Sequence, residues 1–131
     1  MNCLVVVDAW KHCEKEDVEK YPWLEKETKL FGAFINSQLK QINNCDIFQY
    51  ASGREIMDEM KTGVVVNDIP QGYNNYYYCG FHLGRCISKA CRKQSGLVVL
   101  NLSMLFPDDS FHSIKKEQYC WYSHAKGFEI C

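Results

Sequence analysis

Residues 76 to 86 read Y-Y-Y-C-G-F-H-L-G-R-C, an aromatic run that enters a glycine and reaches a cysteine six residues later. Bulky side chains without polar alternation mark a strand covered on both faces. The pattern predicts a strand over 76–80 that closes at Gly80. From Leu83 through Cys86, Ile87, Ala90 and Cys91 the apolar spacing is helical, ending at Ser95-Gly96. Cys86 then opens a helix, where the macrodipole favours a thiolate. In the simpler reading Cys86 is one more small apolar side chain lining a core.

Working outward, the same kind of run recurs. CLVVVD at 3–8 is β-branched and ends in an acid, as a buried parallel strand does. CDIFQYA at 45–51, TGVVVND at 62–68 and LVVLNL at 97–102 read as further strands, and a last one falls in YCWYSH or GFEIC. Between them lie a charged, solvated loop (KHCEKEDVEKY, 11–21) and Pro22 at a helix start. A helix over 23–42 places Leu30, Phe31, Phe34, Ile35, Leu39 and Ile42 on its apolar face. REIMDEMK at 54–61 is a short helix candidate, and Ser110 can cap a helix through about Gln118. Strands alternating with helices, without hairpin signals, predict an α/β fold over residues 1–131. It has three α/β/α layers around a central parallel sheet of five or six strands in Rossmann-like order. Such sheets bind ligands outside the carboxyl ends of their strands. Asp8, Asn67-Asp68 and Gly80 end strands at that edge, so Asp8 and Cys86 are candidates for one crevice.

Composition sets the outer limits. The 131 residues suit a single hydrophobic core. Fifteen Lys and Arg against sixteen Asp and Glu leave a net charge of −1, with no basic bias towards nucleic acid. LVVV at 4–7 and GLVVLNL at 96–102 are far shorter than a membrane span. No basic n-region precedes the first apolar run. A cytoplasmic chain is expected, with neither nucleic acid nor membrane as partner. The eight cysteines fall largely inside strand and helix patterns and read as reduced thiols. Cys79, His82 and Cys86 make a C-x2-H-x3-C spacing with no second ligand pair, so no metal and no cofactor are expected.

An aspartate that ends the first strand, with a cysteine six past the glycine of the fourth, resembles the isochorismatase-like cysteine hydrolases. That superfamily includes nicotinamidases and N-carbamoylsarcosine amidases. LVVVD at 4–8 is similar to the family's first strand and its catalytic Asp. GFHLGRCI at 80–87 is similar to the segment that carries its nucleophile, and Ala90 matches a small helix residue. The resemblance implies Cys86 as nucleophile and Asp8 as the base that takes its proton. It also implies a cis Phe81–His82 peptide and an oxyanion hole from backbone N–H groups around Arg85 and Cys86. The substrate class implied is a small amide or related carbonyl compound, attacked by sulfur while N–H donors hold the oxyanion.

The chain departs from the family in specific places. Asn67 and Asp68 stand where the family has a catalytic lysine, and with Trp10 they are expected in the pocket. A carboxylate there raises a neighbouring thiol's pKa. The segment between strands three and four, a helix in the family, is IPQGYNN. Two functions of different class therefore stay open. One is the hydrolase. The other is a catalytically lapsed member of the fold, a small-molecule-binding or assembly module that includes homo-oligomers. A cation beside Asp8 and Cys86 separates them, with Arg85, His82 and His12 as candidates. Taken alone, His82 reads as a structural histidine.

Overall fold

The central strand of this computed structural model, β1 (Asn2–Val7), pairs in parallel with β2 (Cys45–Tyr50) on one side and β4 (Asn75–Leu83) on the other. Residues 1–107 and 118–131 are described. β3 (Val64–Val66) adds to β2, and β5 (Leu97–Leu105) to β4. β6 (Tyr119–Ser123) continues in parallel, and β7 (Gly127–Ile130) closes an antiparallel hairpin. Three helices are described: α1 (Lys15–Lys20), α2 (Leu24–Leu39) and α3 (Cys86–Lys93). The fold is α/β, built on a seven-stranded, mostly parallel sheet ordered β3-β2-β1-β4-β5-β6-β7.

The burial of β1 explains its composition. Leu4 and Val6 join a cluster with Ile35 and Leu39 of α2, while Cys3, Val5 and Val7 join another with Ile87 and Ala90 of α3. Successive side chains point to opposite faces of a strand, so a strand covered twice has no polar alternation. Each fully buried aliphatic side chain contributes about 1.5–3 kcal/mol. The strand order reverses between β1, whose successors lie on one side, and β4, whose successors lie on the other. A crevice opens at the carboxyl edge of such a reversal.

Several expectations are corrected. β4 runs past Gly80 to Leu83, because Phe81 and Leu83 bury into opposite clusters and pair with Met104 and Leu105. The helix therefore starts at Cys86, not Leu83. No helix forms over 54–61. Met57 N–H donates to the Ala9 carbonyl at 2.9 Å and Lys11 N–H to Glu55 at 2.9 Å, so the 9–11 loop takes up backbone groups that a helix would pair internally. Met57 is then pressed onto α2, where a Cβ at Gly32 would lie 2.2 Å from its sulfur.

The charged stretch 11–21 holds the short helix α1. On α2 the buried stripe is Leu24, Thr28, Gly32, Ile35 and Leu39, while Leu30 and Phe34 face outward. Both carboxyl-terminal runs are strands, which raises the count to seven. Phe128 of β7 stacks on Tyr77 of β4 at 4.1 Å between ring centroids. The helix expected after Ser110 lies outside the described residues. No described helix is long and apolar enough to cross a membrane.

Candidate active site

Two backbone features bring the ends of β1 and β4 together. Asp8 takes a left-handed conformation (φ +49°), donating its N–H to the Tyr50 carbonyl at 2.9 Å. Asp and Asn adopt this conformation more readily than other side-chain-bearing residues, because a short polar group bonds locally. Gly80 has φ +107°, and a Cβ there would lie 2.6 Å from the Val7 carbonyl oxygen. Glycine is thus what lets β4 approach β1 beside Asp8. Beyond it, the Phe81–His82 peptide is cis. Gly84 (φ +82°) and Arg85 turn the chain into α3, with Arg85 N–H donating to the His82 carbonyl at 3.0 Å. The expected oxyanion donor at Arg85 is therefore already engaged. Cys86, first residue of α3, has an N–H without an intrahelical acceptor, as at any helix start.

The turn delivers Cys86 to Asp8, where the thiol and the carboxylate act on each other's protonation. Ser52 donates a hydrogen bond to Asp8 Oδ1 at 3.2 Å. Burial raises the Asp8 pKa, countered by the neighbouring Cys86 and Ser52 side chains and by the charges of Arg54 and Lys89. The Cys86 thiol is pushed up to about 12, by burial first and then by the Asp8 carboxylate beside it. Lys89 and Arg85 pull it the other way. At neutral pH the proton sits on sulfur.

Two hollows flank this pair. One, of about 210 Å³, is walled by Trp10, Phe81, His82 and Phe106, with Glu14 and Asp17 also lining it. Arg85 reaches in with its guanidinium 3.9 Å over the Phe106 ring. The other, of about 320 Å³, is lined by Tyr50, Ser52, Arg54, Lys89 and Lys93. Asp8, Trp10 and Cys86 belong to both.

Of the residues singled out in the sequence, Asp8, Trp10, Phe81, His82, Arg85 and Cys86 are brought together. Asn67 and Asp68 are not: both are exposed and line neither hollow. The reason is topological, since β3 lies outside β2 and its end is one strand further from β1. Asp68 acts on Lys93 instead, helping to hold its proton. His12 pairs with Glu25 at 3.3 Å, outside both hollows.

Sequence reasoning passed over Ser52, Arg54, Lys89 and Lys93. Lys89 had a readable signal, since three residues past Cys86 on a helix lies on the same face. Ser52 follows β2 at the edge where Asp8 follows β1. Arg54 was hidden by the helix predicted over 54–61. Set against protein-family models, curated proteins and solved structures, the chain has no match in any of the three comparisons.

Proposed function

We propose that the chain is a compact, divergent isochorismatase-like cysteine hydrolase, of three-layer Rossmann-like build, acting on a small amide or related carbonyl compound. One observation carries this reading: the Cys86 thiol and the Asp8 carboxylate lie beside each other where the strand order reverses, lining one ring-walled hollow. Asp8 takes the thiol proton as sulfur bonds to the carbonyl carbon, and the C=O π pair moves onto oxygen. The Cys86 N–H is a donor for that oxyanion. Collapse expels the amine, which carries away the proton held by Asp8, and leaves a thioester. Water, deprotonated by Asp8, then releases the acid and restores the thiol. Because the resting thiol is neutral, proton transfer accompanies attack.

The high thiol pKa favours the second reading, a lapsed site that binds a small molecule without turning it over. Assay of the purified chain on a panel of small primary amides and ureido compounds separates the two. Turnover lost in Cys86→Ala, with an unchanged circular dichroism spectrum, supports the hydrolase. Absence of turnover across the panel, or turnover that survives Cys86→Ala, overturns it.

A further inference from the structure

The hollow on the far side of Asp8 and Cys86 has a chemistry that amide hydrolysis does not use. Lys89 and Lys93 project from one face of α3, four residues apart. Arg54 comes from the turn after β2, and the Tyr50 and Ser52 hydroxyls complete the lining. Asp8 is the one acidic residue in that lining, and its carboxylate already accepts a hydrogen bond from Ser52. Other counter-charge is partial. Arg54 pairs with Glu14 at 2.6 Å, and Lys93, acted on by Asp68, donates to the Tyr50 hydroxyl at 2.8 Å. The Lys89 side chain makes no hydrogen bond or ion pair among the described residues, and is exposed. Cations that converge on a concave surface beside the Tyr50 hydroxyl suit a small oxyanion, held by charge-assisted hydrogen bonds.

We infer that this hollow is a binding site for the carboxylate or phosphate group of a small anionic ligand, held by Lys89, Lys93 and Arg54 beside the Cys86 sulfur. The site goes beyond the hydrolase reading and stands whether or not Cys86 turns a substrate over.

Alkylation tests it without any turnover assay. Iodoacetate and iodoacetamide both form an S–C bond and release iodide, but only iodoacetate carries a carboxylate. The exposed Cys131 is an internal reference. The expected result is an iodoacetate-to-iodoacetamide rate ratio at Cys86 about fivefold or more above that at Cys131. Lys89→Gln alone should reduce it, and Lys89→Gln with Lys93→Gln should bring it to the Cys131 value. Both lysines are exposed, so neither change threatens the core. Inorganic phosphate or acetate should slow alkylation of Cys86 more than chloride at equal ionic strength. Stronger protection by phosphate assigns a phosphate-bearing ligand, and stronger protection by acetate a carboxylate. A wild-type ratio no higher than that of Cys131, a ratio unmoved in the double variant, or protection no better than chloride's overturns the site.

Discussion

The two hollows share Asp8, Trp10 and Cys86, yet their charges oppose each other. The ring-walled one carries Glu14 and Asp17 with Arg85 alone in opposition. The other carries Arg54, Lys89 and Lys93 against Asp8 only. Trp10 lines both. Its Nε1 donates to the Ala51 carbonyl at 2.9 Å, and the Arg54 guanidinium lies 4.0 Å over its ring while pairing with Glu14. A single thiol thus borders an acidic, aromatic space and a cationic, hydroxylated one. A cation beside a buried carboxylate–thiol pair need not come from the end of β3. Here Lys89 and Arg54 arrive from the helix and from the turn after β2.

The largest expected effect belongs to Asp8→Asn. On the proposed hydrolase reading, loss of the proton acceptor should reduce turnover by about 10²–10⁴-fold. Removing the negative charge should at the same time lower the Cys86 pKa, so iodoacetamide labelling at pH 9 should speed up. Turnover and labelling falling together would break the assignment of Asp8 as the group that faces both hollows.

Next comes Trp10→Ala, which removes the ring that both hollows share. Loss of its half-buried ring and of the Ala51 hydrogen bond should cost about 2 kcal/mol, read as a lower urea midpoint at unchanged slope. An unchanged midpoint would show that the ring does not brace the 9–11 loop.

A pH series sharpens the comparison at the thiol itself. Without ligand, Cys86 should label about tenfold or more slowly than Cys131 at pH 8, its rate climbing well past pH 9. Stability should follow the same sign. Cys86, Cys45 and Cys120, each pushed to about 12, and Cys3, pushed to about 11, keep protons that the unfolded chain gives up. Their contribution is complete below the ordinary thiol value of 9.0 and is lost as pH rises through the folded values. A urea midpoint constant from pH 8 to 11 would contradict this.

The smallest effect is that of Glu14→Gln. Its pair with Arg54 is half-exposed on both sides, so stability should fall by less than about 1 kcal/mol. Freed from Glu14, Arg54 should raise the iodoacetate preference of Cys86 by about twofold. A fall in that preference would mean that Arg54 reaches the cationic side only while the pair holds it.

The parallel strands were legible because unalternated runs such as LVVV and YYYC record burial on two faces. The Asp8–Cys86 meeting was legible because strand ends share an edge. What escaped depended on partners remote in sequence. REIMDEMK has helical composition, but remote partners claim its backbone: the 9–11 loop, more than forty residues away, and Asn36 of α2. Leu30 and Phe34 fit a helical stripe as well as Thr28 and Gly32 do, yet the smaller pair is buried, Gly32 against Met57. Asn67-Asp68 matched a chain position whose place in space depends on strand order, which spacing does not encode.

The left-handed backbone at Asp8 bears on how any substitution there should be read. Alanine would remove the carboxylate and also place a methyl-bearing residue where the chain must turn at φ +49°, at a cost of about 1–2 kcal/mol. A silent Asp8→Ala protein would confuse lost chemistry with a displaced 9–11 loop, and with it Trp10 and Met57. Asparagine tolerates the same dihedral and keeps the oxygen that Ser52 bonds. It separates proton acceptor from hinge, and is the variant whose silence has one meaning.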